Sequence, residues 1–484
     1  MHKIFVQNKI FQANNGATLL DILRDNDIKI QALCGGNKKC GKCKVKITNC
    51  TFEKHPLISQ EEHQNGICLA CTIKVESDLH VEILGKTEKE SFPSDKVDGT
   101  FNCAIDIGTT GVSINVYDLS GELFEEFHFS NPQISYGADV ISRIKAWDDG
   151  NGENLTNSIR NAIKIRIAKF NIQKCYISAN TTMLHILAGV SPSGIGRAPY
   201  VAEFLETKEI SLKKLGLSES GTCVLLPSIS AYIGADIVAG SIACELSNQE
   251  NVLLLDLGTN GEMLLKTKHG FFGASTAAGP CFEGGNISCG TYFHENAITS
   301  VTIKNGKIFT PTKNPTGICG SGLIDAMRVM LDAECVDGYG SLNVLHESYE
   351  KNKGIKIAKN IYLTDKDIRN IQLAKSAICT GVQLLIKGAG IKESNIDKVL
   401  VAGAFSKGIN FSSAGAIGLI PNSMIDKCTA VGNTSLKGSE ICLFDSEKLA
   451  LASIIAEETT VIDLAKNAEF ASLYADNMIF ENYE

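Results

Sequence analysis

Hydrophobic and polar positions divide the chain into three stretches. Over residues 1 to 85, short apolar runs of strand type (KIFV, KVKI, TIKV, VEI) surround one helical pattern, TLLDILRDNDI. Residues 86–100, KTEKESFPSDKVDGT, are polar with a Pro and a Gly, the mark of a linker. From Asn102 onward apolar strands alternate with amphipathic helices, as in an α/β protein. This third stretch contains an internal echo. CAIDIGTTGVSINVYD (103–118) and LLLDLGTNGEMLLKTK (253–268) each read as a buried strand, the turn Asp-x-Gly-Thr-x-Gly and a second strand. Two copies predict two similar lobes rather than a repeat array.

Bulk properties narrow the class. A length of 484 residues suggests about three compact units at roughly 150 residues each. The formal net charge of -8 argues against nucleic acid and anionic membranes as partners. The start MHKIFVQNKI has no signal-peptide pattern, and no apolar run is long enough to span a bilayer, so a cytoplasmic protein is expected.

Seventeen cysteines in a reducing compartment point away from disulfides. Four stand at metal-ligand spacing, and the other thirteen, Cys50 included, read as small buried hydrophobes. Cys34, Cys40 and Cys43 follow C-x5-C-x2-C, and Gly66-Ile-Cys68-Leu-Ala-Cys71 offers a fourth thiolate at Cys68 or Cys71. A two-iron cluster needs four thiolates. A loop containing Gly35, Gly36 and Gly41 can wrap a cluster and aim amide N–H groups at its sulfurs. Zinc, the rival metal, more often uses two short Cys pairs. The five-residue gap resembles adrenodoxin-type and bacterial ferredoxins. In those the last segment reads Gly-x-Arg-Leu-x-Cys, and aligning Gly66 and Leu69 with it makes Cys71 the ligand.

The paired Asp-x-Gly-Thr-x-Gly turns resemble the phosphate loops of the ATPase superfamily that contains acetate and sugar kinases, heat-shock ATPases and actin. There, one loop from each of two lobes faces a nucleotide, and the Asp holds Mg²⁺ directly or through water. The resemblance implicates Asp106, Gly108, Thr109, Thr110 and Gly111 in the first loop. Asp256, Gly258, Thr259, Asn260, Gly261 and Glu262 match the second. VLVAGAFSKG (399–408) resembles the adenosine-binding strand end, with Gly403 and Ala404 at its turn. TGICGSGLIDA (316–326), with Gly320 and Ser321, is a Gly-rich loop opening a helix, either phosphate-facing or merely tightly packed. Asp236, in PSISAYIGADIVAG (227–240), either reaches the cleft or only caps its helix. His185 in TTMLHILAG reads as a satisfied core histidine, and Trp147 as packing.

Together with CGGNKKCGKC and ICLAC, these segments make the chain resemble the reductive activators of corrinoid-dependent methyltransferase systems over nearly its whole length. NPQISYGADVISRI, SANTTMLHILAG and AAGPCFEGGNI are further marks of that family to which no chemistry is attached. The resemblance implies a β-grasp ferredoxin domain (1–85), a linker (86–100) and a two-lobed, actin-like α/β ATPase (101–484), in a short form without the additional domain some members carry after the ferredoxin. It implies ATP, Mg²⁺ and a [2Fe–2S] cluster. It also implies Asp106 and Asp256 at the magnesium, and Glu262 or Asp236 orienting the attacking water. The partners implied are a corrinoid protein, a low-potential electron donor and, by analogy alone, a second copy of the chain. The rival functions are an activator of another metalloenzyme such as a radical dehydratase, a small-molecule kinase with a sensory cluster, and a nucleotide-switched binding protein.

Overall fold

The computed structural model describes all residues except 7, 8, 27, 29, 31, 33, 37, 39, 40, 85–95, 305, 404, 405 and 481–484. The first unit is a five-stranded sheet built from β1 (His2–Val6), β2 (Lys9–Ala13), β3 (Lys44–Ile47), β4 (Ile67–Leu69) and β5 (Leu79–Ile83), in the order β2-β1-β5-β3-β4. Only β1 and β5 run parallel; the other neighbours are antiparallel. Helix α1 (Leu19–Asp25) lies on this sheet through Leu19, Leu20 and Leu23, all buried, at the helical spacing of its sequence pattern. Helix α2 (Gln60–Gln64) is a short exposed turn closed by a Ser59–Glu62 capping box.

One expected strand is absent. In TIKV (72–75), Thr72 ends a 3-10 turn and residues 73–75 are extended, burying Ile73 and Val75, but their backbone bonds go to the entry of α1, and the segment forms a single bridge, Lys74 to Thr18. An extended segment that meets a turn rather than a strand has no ladder to join. The expected linker lies largely outside the described residues. Its last part is already docked, since Val97 donates to the Lys169 carbonyl at 2.8 Å, and the next strand begins at Thr100.

The echo in the sequence becomes an echo in space. In the first lobe β6 (Thr100–Ile107), β7 (Gly111–Asp118) and β8 (Leu123–Ser130) form an antiparallel meander. β9 (Asn171–Ala179) lies parallel to β6, and β11 (Thr222–Leu225) and β10 (Lys208–Ser211) extend the sheet. In the second lobe β12 (Val252–Leu257), β13 (Gly261–Thr267) and β14 (Gly270–Thr276) repeat the meander, with the strand Lys398–Ala402 parallel to β12. Helices α3 (Val140–Ala146), α4 (Gly152–Ile167) and α5 (Thr181–Ala188) belong to the first lobe, and α7 (Gly320–Asp332), α8 (Asp365–Gly388) and α9 (Phe411–Ala416) to the second. Helices α6 (Ala235–Ala243), α10 (Thr434–Phe444) and α11 (Ser446–Glu458) pack between the two sheets.

The run Leu253-Leu254-Leu255 is unbroken because both faces of β12 are buried. Val252 and Leu254 face the interlobe core with α6 and α10, while Leu253, Leu255 and Leu257 face the second core with α7 and α8. Cys103, Cys175 and Cys223 sit side by side on β6, β9 and β11, fully buried in that interlobe core, as small apolar groups. His185 is the core histidine expected. It is fully buried, stacked on Phe204 at 4.2 Å, with ring nitrogens bonded to the Thr181 carbonyl and the Glu203 amide. Trp147 ends α3 and packs half-buried on the first core.

The interlobe helices α6 and α10 cross at glycines. A Cβ at Gly438 would stand 1.9 Å from the Ala239 carbonyl oxygen, and one at Gly240 2.9 Å from Thr434 Oγ1. Gly438→Ala is therefore expected to destabilise the chain by about 1–3 kcal/mol, measured by denaturant unfolding. An unchanged midpoint would show that the crossing has slack.

Candidate functional site

Both Asp-x-Gly-Thr-x-Gly turns form as the sequence predicts, and the fold brings them face to face. β6 carries Asp106 to its end and turns through Gly108–Thr110. β12 does the same with Asp256 and Gly258–Asn260. Thr109 and Thr259 are buried, and the Thr109 hydroxyl donates to Thr259 Oγ1 at 3.2 Å. Thr259 and Thr110 then both donate to one oxygen of Glu283, the latter at 2.8 Å. Glu283 ends a 3-10 turn, Pro280–Glu283, inside AAGPCFEGGNI, and residue-by-residue reading gave it no role. Its one sequence signal is a carboxylate set in a Gly-rich run directly after β14.

The carboxylates of the cleft constrain one another. Asp256 lies directly across the β12–β13 pair from Glu262. Asp236, in the first turn of α6, accepts from the Ile237 amide at 3.0 Å and shares a hydrogen bond with Glu262, while Gly234 is the N-cap of that helix. Two carboxyl groups share a hydrogen bond only when one holds a proton. Glu262 also accepts from the Gly234 amide at 2.9 Å. Asp106 accepts from Asn433 Nδ2 and Ser435 Oγ, each at 2.8 Å, at the start of α10.

Burial, then the charges of Asp236, Asp106 and Glu283, pushes Asp256 up to about 8. Burial raises Asp236 to about 6 and, with Asp236 beside it, Glu262 well above the usual range. Burial raises Asp106 and Glu283 as well, against the hydrogen bonds they accept. So much negative charge in a half-buried cleft calls for a cation. Among the described residues no three His, Cys, Asp or Glu side chains converge to hold an ion unaided. Mg²⁺ is satisfied by one or two carboxylates, with phosphate oxygens and waters filling the octahedron, and this donor set fits that demand.

The remaining residues of the nucleotide reading divide. Gly403 sits at the end of the strand Lys398–Ala402 with φ +108. A Cβ there would stand 2.5 Å from the Leu257 carbonyl and 3.2 Å from an Asp256 oxygen, so only glycine lets this turn touch the second loop. Ala404 lies outside the described residues. Gly320 and Ser321 open α7 but are packed in. A Cβ at Gly320 would stand 2.0 Å from the Phe282 carbonyl, and Ser321 donates to the Thr299 carbonyl at 3.0 Å. They buttress the turn that carries Glu283. Asn260 and Gly261 close the second turn, the Asn260 carbonyl accepting from the Gly258 amide at 3.1 Å.

In the first unit, β4 returns to β3 so that the Ala70 amide donates to the Cys43 carbonyl at 2.8 Å, which sets Cys71 beside Cys43. A hydrogen bond from Cys71 lowers the Cys43 thiol to about 7 against the opposing effect of burial. Cys34 lies within electrostatic reach of Cys43, and Cys40 lies outside the described residues. Cys68 faces the domain core opposite Val45, and burial pushes it up to about 12, the state of an inert thiol. A two-iron cluster takes two thiolates on each iron, so its sulfurs need not meet at one point. A low-lying Cys43 paired with Cys71, beside glycines 35, 36 and 41 at positive φ, suits that cluster.

Three family models divide the chain. Residues 4–76 match the 2Fe-2S iron-sulfur cluster binding domain, residues 101–249 the RACo middle region, and residues 250–484 the C-terminal domain of RACo, the ASKHA domain. The chain is similar to the corrinoid activation enzyme RamQ of Eubacterium limosum, 31% identical over 444 residues, covering 83% of this chain and 74% of that one. It is 26% identical over 279 residues to the [Co(II) methylated amine-specific corrinoid protein] reductase of Methanosarcina barkeri, covering 52% of this chain and 50% of that one. A solved structure, the reductive activator for corrinoid, iron-sulfur protein, superposes with a TM-score of 0.73 at 25% identity, covering 99% of this chain and 98% of that one.

Two predictions follow from the geometry. Cys71→Ser is expected to lose or alter the visible absorption of the reconstituted cluster while Cys68→Ser keeps it; the reverse pattern would transfer the ligand to Cys68. A carboxyl held at about 8 in the fold takes up a proton on folding at any pH between the unfolded-chain value and about 8, so its contribution to stability falls as pH rises through that window. Asp256→Asn should therefore melt above the parent without added metal, by a margin that widens from pH 5 to pH 8 in calorimetry. A margin that narrows would show that Asp256 is already ionised in the fold.

Proposed function

The chain belongs to the family of reductive activators of corrinoid proteins, and on that premise we propose that it delivers one low-potential electron to the Co(II) corrinoid of a methyl-carrying protein, restoring Co(I) with the help of MgATP. The observation that supports this best is the meeting of two Asp-x-Gly-Thr loops across one cleft, in a chain that also carries the ferredoxin cysteines. A cluster of the plant ferredoxin type supplies a one-electron couple near about −400 mV. Reduction of Co(II) from that potential is uphill, and each 59 mV costs about 1.4 kcal/mol for one electron. Nucleotide binding or hydrolysis can offset that cost by favouring one arrangement of the lobes over another.

Each residue has a defined task in this proposal. Cys34, Cys40, Cys43 and Cys71 hold the cluster. Asp106 and Asp256 hold Mg²⁺, and the charge of the ion offsets the burial and the neighbouring carboxylates that raise Asp256. Thr109, Thr110, Thr259 and Asn260, with the amides of Gly108, Gly258 and Gly261, bind phosphate oxygens. Gly403 and Ala404 border the adenosine, and Gly320 and Ser321 serve the site by bracing the Glu283 turn. Glu262, or Asp236 through it, orients the attacking water, and the proton these two share must leave before either accepts another. Glu283 occupies the point where the hydroxyls of both loops converge, so an incoming phosphate competes with its carboxylate. A separate low-potential donor, a homodimer and a cytoplasmic setting are proposed from the family, not from the geometry.

The test is anaerobic. The reduced, cluster-loaded protein is mixed with a Co(II) corrinoid protein and the visible spectrum is followed. The Co(I) band should appear only with MgATP, and Asp256→Ala should abolish it while leaving the cluster's absorption intact. A Co(I) band of equal size without nucleotide would contradict the proposal. So would failure with a panel of corrinoid proteins despite an intact cluster and bound nucleotide, which would favour another metalloenzyme client.

A further inference from the structure

NPQISYG (131–137) leaves β8 and runs from the first phosphate loop to the ferredoxin unit. At its start it is fastened to three consecutive loop carbonyls. The Asn131 amide donates to the Thr110 carbonyl and Asn131 Nδ2 to the Gly108 carbonyl, each at 2.8 Å. The Thr109 carbonyl between them accepts from Arg143. Arg143 is fully buried on α3, and it also donates to the Gly137 carbonyl at 3.0 Å and to Gln133 Oε1 at 3.1 Å, gripping the far end of the same segment.

The exit of the segment belongs to Arg24. This residue is in the last turn of α1, its side chain 6% exposed. It donates to the Ser135 carbonyl, and its guanidinium lies 5.0 Å from the centre of the Tyr136 ring. On its other side both terminal nitrogens lie 3.9–4.0 Å from the position a Cβ would take on Gly36, inside the cluster loop, and its charge reaches Cys43. Among the described residues Asp21 is its ion-pair partner, at 3.3 Å, and its Nε is buried without a hydrogen bond to any of them. A cation desolvated to this extent between two units, with one donor unsatisfied, costs stability.

We infer that Arg24 is a positioning residue that couples the nucleotide site to the cluster domain, through residues 131–137 and Arg143. The inference rests on the proposal that the two loops hold MgATP. A peptide unit is rigid, so loop amides that turn toward phosphate carry their carbonyls with them. All three carbonyls of the first loop's turn are bonded to this one segment or to the arginine that grips it. A change in the loop is therefore passed to Ser135 and Tyr136, and from there to the helix and loop that border the cluster. Arg143 sets the near end of the route and Arg24 the far end; neither touches the nucleotide or the cluster in this scheme.

Amide hydrogen exchange on the cluster-loaded full-length chain tests this, with and without a non-hydrolysable MgATP analogue, alongside direct titration of the nucleotide. In the parent, the analogue should slow exchange in peptides spanning 131–137 and also in those spanning 19–26 and 41–48. In Arg24→Met the first response should persist while the second falls by about fivefold or more. Tyr136→Leu should give the same split from the other side of the contact, and Arg24→Lys should restore part of the response. The midpoint potential of the cluster should shift with nucleotide in the parent and not in Arg24→Met. Equal responses in parent and variants would overturn the inference. Slowing at 131–137 without any at 19–26 and 41–48 in the parent would overturn it while leaving the proposed function standing. Absence of nucleotide binding in the parent would overturn both.

Discussion

Asp106, Asp236, Asp256, Glu262 and Glu283 share one cleft, and they cannot all carry charge without a cation among them. The rest of the molecule is arranged around that constraint. Strands β6 and β12 end in the two aspartates because each sheet repeats the same meander, and α6 and α10 cross closely enough to bring Asp236, Asn433 and Ser435 to the same place. Without the ion, the repulsion is managed by protons and hydrogen bonds. Asp236 and Glu262 share a proton, Asp256 is held at about 8, and Glu283 takes the hydroxyls of both loops. Under the proposed function, a polyanionic nucleotide would enter such a place together with its cation.

The same arrangement explains how chemistry at one end of the chain can matter at the other. The three carbonyls of the first loop's turn all accept hydrogen bonds, from Asn131 of the segment after β8 and from Arg143. A loop tied down on one side would respond to a phosphate on the other, as the proposed function has it, chiefly by moving what it is tied to. The ferredoxin unit meets that segment through a buried arginine, an interaction sensitive to small shifts because a guanidinium bonds carbonyls and stacks on rings in narrow geometries.

Much of this was legible in the sequence. The turns that carry Asp106 and Asp256 were legible because the same strand–turn–strand device is written twice, and the closeness of Cys43 and Cys71 was implied by ferredoxin-type spacing at Cys34, Cys40 and Cys43 followed by the Gly66–Cys71 segment. The lobed α/β fold follows from unbroken apolar strands alternating with helices. What was not legible depends on partners distant in the chain. Glu283 acquires meaning from Thr110, 173 residues away, and Asn433 from Asp106, 327 residues away. Arg143, in a segment to which the sequence attached no chemistry, acquires its role from the Thr109 carbonyl, 34 residues away. TIKV has the composition of a strand but meets a helix entry. Gly320 and Ser321 have the sequence of an anion-binding helix start, while their surroundings are filled by the Phe282 and Thr299 carbonyls.

In the proposed function Mg²⁺ and nucleotide take over a charge balance that protons otherwise maintain among these carboxylates, and counting protons decides whether they do. Preformed MgATP titrated into the cluster-loaded protein at pH 7, by calorimetry in two buffers of different ionisation heat, should release roughly one proton or more per site. Release of none, or uptake, would contradict this, because the carboxylates would then be ionised before the cation arrives.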